Sequence, residues 1–161
     1  MIEIRPAVPT DADAIWRIIQ PVIAAGDTYV FDPDNTREDM LAYWFAPDKH
    51  TYVALIGDEI AGTFMIKANQ PGLGSHIANA GYMTAPEARG QGVGKTMCAF
   101  SLSEAKRLGF HAMQFNIVVK SNEGAVRLWK SMGFDIIGEI PDAFNHQQHG
   151  LTNAYIMYRK L

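Results

Sequence analysis

Residues Ala85–Gly109 read APEARGQGVGKTMCAFSLSEAKRLG: a proline-led polar run, glycines at 90, 92 and 94, then a helix-like segment stopping at Gly109. A glycine-packed turn just before a helix exposes backbone N–H groups that the helix cannot pair internally. Those donors, together with the positive helix end, make an anion site whose usual guest is a phosphate. Glycine lets the phosphate approach the backbone with no Cβ in the way. Arg89 adds a charge-assisted contact.

Spacing selects among the phosphate motifs. A Walker A loop needs a glycine, four residues and then Gly-Lys-Ser/Thr. Gly94-Lys95-Thr96 supplies the end, but the first position is Arg89. A dinucleotide G-x-G-x-x-G fails twice, because Gly90 and Gly92 lead to Lys95, and Gly92 and Gly94 lead to Met97. What remains is Arg-x-x-Gly-x-Gly, from Arg89, Gly92 and Gly94. Taken alone, the same letters also suit a glycine-rich turn before an ordinary helix.

The chain has 161 residues, enough for one domain spanning 1–161 with a sizeable core. With 48% hydrophobic and 19% charged residues it is globular rather than disordered. A net charge of −3, and no basic run with interleaved aromatics, give no pull toward nucleic acid or an anionic membrane. The single cysteine, Cys98, excludes an internal disulfide and a zinc cluster of several cysteines; inside a long helix it reads as a buried structural thiol. The N-terminus has no basic region followed by an apolar run, and no stretch is long and apolar enough to span a bilayer. A cytoplasmic location is the expectation.

Working outward, Ile2–Arg5 reads as a strand. Thr10 is expected to cap a helix whose apolar face includes Ile15, Ile18, Ile19 and Val22, and which Gly26-Asp27 stops. Thr28–Asn35 is a loop whose Tyr29 and Phe31 either line a pocket or close the core. Thr36 caps Arg37–Phe45. Strands Thr51–Ile56 and Ile60–Lys67 flank Gly57-Asp58 as a hairpin. His76–Thr84 is a strand holding Gly81, which signals a bulge or a close backbone approach. After the glycine loop and its helix come strand Ala112–Val119 and a helix Glu123–Met132 capped by Asn122. Strands Phe134–Ile140 and Ala154–Arg159 follow, joined by a polar loop, Pro141–Asn153. The order β-α-α-β-β-β-α-β-α-β-β implies an α/β (α+β) fold with a mixed sheet and helices on both faces.

A second constellation runs from Asn122 to Phe134: Asn122, Ala125, Leu128, Trp129, Gly133, Phe134. Asn122 caps the helix, Ala125 and Leu128 are expected to face the sheet, Gly133 ends the helix, and Phe134 returns the chain to the core. With Arg89-x-x-Gly92-x-Gly94 before it, this pattern resembles the two motifs of the GNAT (GCN5-related) N-acetyltransferases, in family order and with a strand between them. Within the family, His76-Ile-Ala-Asn79-Ala-Gly81-Tyr82, with Phe115-Asn116 and Asn122, resembles the azetidine-2-carboxylate (proline-analogue) acetyltransferase branch.

The resemblance implies the GNAT acyl-CoA N-acyltransferase fold, with acetyl-CoA, and no metal, between strands His76–Thr84 and Ala112–Val119. Backbone groups of Tyr82, Met83 and Thr84 would pair with the pantetheine arm. The N–H groups of Arg89, Gly90, Gln91, Gly92, Val93, Gly94 and Lys95 would hold the pyrophosphate, with Asn122 and Trp129 alongside the cofactor. A backbone N–H near a Gly81 bulge, at Tyr82, would be the oxyanion donor. Asn79 and Asn116 would orient substrate or serve the oxyanion; their other reading is paired polar groups within strands. Family members are often dimers, so a homodimer is implied too.

Many family members carry a tyrosine that protonates the leaving thiolate. That position here is Trp129, whose indole N–H is no usable acid. Tyr155 and Tyr158 are substitutes by type, and an ordinary thiol pKa near about 8.5 makes an acid dispensable. His76, His146, His149 and Glu87 are base candidates by type, as is a water chain. The reading is an N-acetyltransferase acting on a small-molecule amine, an amino or imino acid. The alternatives are a peptide amine or amine antibiotic, which Asp27, Asp32, Asp34 and Asp39 keep open, or a non-catalytic acetyl-CoA sensor.

Overall fold

Alternating apolar residues and two crossover helices build one mixed sheet, described here by a computed structural model of Met1–Leu161. The strands are β1 (Ile2–Pro6), β2 (His50–Ile56), β3 (Glu59–Ala68), β4 (Ile77–Thr84), β5 (Ala112–Val119), β6 (Asp135–His146) and β7 (Gly150–Lys160). Their spatial order is β1-β2-β3-β4-β5-β7-β6. Every pairing is antiparallel except β4 with β5. Helices α1 (Ala12–Ala25) and α2 (Arg37–Trp44) pack on one face, and α3 (Val93–Arg107) and α4 (Glu123–Ser131) on the other. A cluster of 30 buried apolar residues, among them Ile15, Trp44, Phe64, Met83, Met97 and Met157, fills both layers.

Two local choices fix the helix carrying the glycine loop. Gly62 on β3 lies beneath its first turn: a Cβ there would meet Val93 Cγ1 at 2.8 Å and Met97 Sδ at 2.9 Å, so only glycine lets α3 sit this close. On the next turns Glu104 accepts from the Tyr52 hydroxyl of β2 at 2.8 Å and is clasped by Arg107 at 2.6 and 2.9 Å. The Arg107 guanidinium, aided by Tyr52, holds the Glu104 carboxyl down at about 2.

Several expectations are corrected. Thr10 is not the cap of α1: Pro9–Asp11 forms a 3-10 turn and Asp11 takes the cap position. The Asp11 carboxylate is turned back to accept from Val8 N–H at 2.8 Å and from Arg5 at 2.8 and 2.9 Å. Gly81 is not a bulge, because β3 and β4 pair in unbroken register from Gly62↔Thr84 to Ala68↔Ala78. Nor does another backbone approach it closely: the nearest atoms to where a Cβ would stand are the Met65, Trp44 and Tyr29 side chains, at 3.4–3.8 Å. The expected loop Pro141–Asn153 is mostly strand: β6 runs on to His146 and β7 begins at Gly150, with the ladder interrupted between Ile140 and Phe144. Finally, Val126, Trp129 and Met132 are the α4 side chains that pack on the core, not Ala125 and Leu128. Leu128 faces the glycine loop, 3.5 Å from where a Gly94 Cβ would stand.

Because Glu104 has its folded-state pKa depressed, its contribution to stability is full above its ordinary value near about 4.5 and is lost as pH falls toward about 2. Glu104→Gln should therefore lower the urea midpoint at pH 6 to 7. The gap between variant and parent should shrink steadily as the pH is lowered toward 2; a gap independent of pH would show that the carboxylate charge is not what Arg107 and Tyr52 hold.

Candidate functional site

The sheet forks between β4 and β5. Parallel pairing is confined to Ile77↔Ala112 and Ala78↔Met113, after which the strands part. At the apex the Asn79 side-chain amide donates to the Gln114 carbonyl at 2.9 Å, so it bridges the first position where the ladder fails. Along β4 the ladder to β3 takes alternate residues: Ala85 N–H donates to Ala61, while Tyr82 N–H turns into the fork. By the same alternation Thr84 presents its backbone to the fork and Met83 does not; Met83 points its N–H and C=O at β3 and its side chain into the core.

Tyr29, from the loop between α1 and α2, reaches into this gap. Its hydroxyl accepts from Tyr82 N–H at 2.8 Å and donates to the Tyr82 carbonyl. Burial pushes the phenol up to about 12, so it keeps its proton at neutral pH. The Tyr82 side chain lies on the other face, bonded to Ser101 Oγ at 2.6 Å and close to Met113 sulfur. Burial holds its hydroxyl far above the ordinary phenol value, and only its backbone faces the fork. Cys98 is a buried thiol beside it, pushed up to about 12 by desolvation.

At the open end of the fork stands the glycine loop. Gly90 and Gly92 adopt φ of 78° and 83°, a region that L side chains rarely enter, which is why glycine is needed at both positions. The N–H groups of Gly90, Gly92, Val93, Gly94 and Lys95 meet no acceptor within the protein; Thr96 is the first of the helix to do so, on Gly92. Helices α1, α2 and α4 each carry an acid in the first turn, and α3 carries none. Its positive end is left for an external anion, with Arg89 and Lys95 exposed and without an ion pair beside it. Gln91 is exposed as well, its amide on the Glu87 carbonyl at 3.3 Å, and Val93 is buried beneath the loop. Across the fork, Asn122 caps α4 by accepting from Ala125 N–H at 3.3 Å.

The fork and the loop between α1 and α2 border a cavity of about 260 Å³, and 14 of its 20 lining residues are hydrophobic. It passes from Asn122, Ala125 and Trp129 on the α4 side, past Tyr82 and Phe115, to Tyr29, Phe31, Tyr43, Lys67, Asn79 and Asn116 on the α1–α2 side. The loop aromatics thus both line the pocket and close the core. Trp129 is packed between Tyr82 and Phe115, with ring centroids 5.1 and 4.9 Å away. Asn116 is held by Asn69 at 2.7 Å and Gln114 at 3.1 Å.

None of the residues considered as base or substitute acid reaches this cavity. His76 sits at the closed end of the fork against His111. His146 is buried in the β6–β7 hairpin end, where Nδ1 accepts from Gln148 and His149 N–H at 3.0 and 3.2 Å. Glu87 is on the surface, and Tyr155 and Tyr158 lie on β7. No group of three or more His, Cys, Asp or Glu side chains comes together as a metal site. Of Asp27, Asp32, Asp34 and Asp39, none lines the cavity; Asp32 borders only a neighbouring groove with Pro33, Phe144 and Gln147. Sequence reading passed over two cavity residues, Lys67 and Tyr29's role on Tyr82, because a strand-end lysine and a loop tyrosine carry no local signature.

Comparison with known proteins agrees with this geometry. Residues 16–134 match the family described as "Acetyltransferase (GNAT) family". The chain is 33% identical over 151 aligned residues to N-acetyltransferase aca1 of Schizosaccharomyces pombe, covering 83% of this chain and 72% of that one. It superposes on a GCN5-related N-acetyltransferase from Kribbella flavida with TM-score 0.94 and 40% identity over 99% of this chain and 98% of the other. The fold also matches yncA from Salmonella typhimurium, solved with its cofactor acetyl-CoA, at TM-score 0.87 and 20% identity over 100% and 94%. No helix is long and apolar enough to cross a membrane. The chain belongs to the GNAT family and is an acetyl-CoA-dependent N-acetyltransferase.

Proposed function

We propose that the protein transfers acetyl directly from acetyl-CoA to the amine of a small molecule, an amino or imino acid. The cavity carries this reading. At about 260 Å³ and largely apolar, it is at the small end of ligand pockets and suits a compact acceptor. A polycation would need carboxylates that the lining does not contain.

The residue roles follow from position. The N–H groups of Gly90, Gly92, Val93, Gly94 and Lys95, with the Arg89 side chain, take the pyrophosphate at the start of α3, while the N–H groups of Arg89 and Gln91 are spent on Pro86 and Ala88. Tyr82 and Thr84 offer their backbone to the pantetheine arm as an added strand would. Acetyl-CoA supplies the activated acyl thioester. Tyr82 N–H, now on the Tyr29 hydroxyl, is the donor aimed at the oxyanion. Asn79 holds the fork open at its apex, and Asn116 borders the acceptor end. The lining holds no imidazole or carboxylate, so the amine proton leaves through water. Trp129 packs rather than donates, and the thiolate departs without an acid. Residence in the cytosol and a homodimeric state complete the proposal; sedimentation velocity reads the second directly.

The Gly92→Asp variant places a carboxylate at the positive end of α3 and forces a side chain into a left-handed backbone. Calorimetry should show acetyl-CoA affinity reduced at least about tenfold; unchanged affinity would remove the pyrophosphate assignment. The acceptor is tested by thiol release with acetyl-CoA against a panel of amines, amino acids and proline analogues. Turnover is expected with amino or imino acids; turnover confined to polyamines or peptides would overturn the acceptor reading.

A further inference from the structure

Lys67 is the one charged residue in the lining of the cavity, and it forms no salt bridge; Asp48, paired with Lys49, acts on it only at longer range. It lies near the end of β3, directly across from Asn79 at the fork apex. In that register it shares a sheet face with Met65 and Gly81, the face on which Tyr29 and Trp44 pack. Its Nζ is 5.9 Å from the centroid of the Tyr43 ring. The neighbouring cation, Lys49, is already satisfied: it stacks on the same ring at 4.0 Å and pairs with Asp48 at 3.0 Å. Lys67 stands only at the far edge of that ring and makes no ion pair, yet it is half-buried beside an apolar pocket.

An ammonium without an ion pair at the rim of an apolar cavity is free to take an anionic guest, and the dry lining strengthens that pairing. Its reach is suitable. Asn79 and Tyr82 are three strand residues apart, roughly 10 Å, and Lys67, opposite Asn79, carries a flexible four-carbon stem on the face that lines the acceptor end. An amine at Tyr82 with an anionic group a few ångströms away would bring that group to Lys67. In an α-amino or α-imino acid the carboxylate is attached to the carbon bearing the nitrogen. We infer that Lys67 is the carboxylate anchor of the acceptor site, and that the enzyme selects amines carrying an α-carboxylate over the same amines without one. This rests on the small-acceptor reading above and adds to it the chemical group that is recognised. Asn69 and Asn116, joined at 2.7 Å beside it, extend the polar end of an otherwise apolar lining.

The test compares azetidine-2-carboxylate with azetidine, and proline with pyrrolidine, as acceptors for the wild-type enzyme, Lys67→Gln and Lys67→Arg. The wild type should favour the carboxylate-bearing member of each pair. In Lys67→Gln the KM for that member should rise at least about tenfold, since a charge-assisted contact is removed; kcat should change little and the preference within each pair should collapse. Lys67→Arg should keep most of the preference. Calorimetric affinity for acetyl-CoA and the melting temperature, measured on each variant, identify any misfolded protein. Imino-acid turnover with KM unchanged in a folded Lys67→Gln would overturn the anchor and leave the acceptor reading standing. A wild type that acetylates only amines without a carboxylate would overturn both.

Discussion

The end of pairing between β4 and β5 is the constraint on which the rest depends. Two parallel pairs hold the strands together, then the ladder stops and leaves backbone groups of β4 facing open space. Such groups are costly if left dry and unpaired. The protein meets that cost locally, with the Asn79 amide at the apex and the Tyr29 hydroxyl on Tyr82. The gap is therefore a maintained opening, not a packing defect. In the mechanism we propose, the chemistry follows from it: the cofactor's arm would join this strand edge, and the reacting thioester would pass through the sheet from one face to the other.

The two faces then divide the work. On one, α3 sits tightly on Gly62 and presents five unpaired N–H groups at its start, while α4 turns Ala125 and Leu128 toward the loop. On the other, α2 and the aromatic loop shape a small apolar pocket with a single cation. Tyr29 belongs to both tasks. It closes the pocket, and its hydroxyl stands on the N–H that an oxyanion would use. With its phenol pushed up to about 12 it stays protonated, so it donates to the Tyr82 carbonyl as well as accepting.

Much of this was legible in the sequence because the governing physics is local. Glycines at 90 and 92 were needed for positive φ, and Asn122 capped its helix, so motif spacing located the glycine turn and both helices. Features set by tertiary packing were not legible. Both Ala125/Leu128 and Val126/Trp129/Met132 repeat at helical spacing, and only the packed structure shows which stripe meets the core. The stretch from Pro141 looked like a loop because proline and polar residues dominate it, yet β6 absorbs them by breaking register before Phe144. Gly81 signalled a bulge or a close backbone approach, and it is neither: the ladder is unbroken and only side chains lie at ordinary contact distance. Lys67 reads as a solvated strand end until α2 and β4 are folded around it.

The most direct test of the fork as the cofactor site is amide hydrogen exchange with and without saturating acetyl-CoA. The account predicts added protection in two places, the β4 segment ending at Thr84 and the loop Gly90–Lys95, with the β6–β7 hairpin unchanged. Saturating binding that leaves both segments exchanging as before, or protects the hairpin instead, would contradict it.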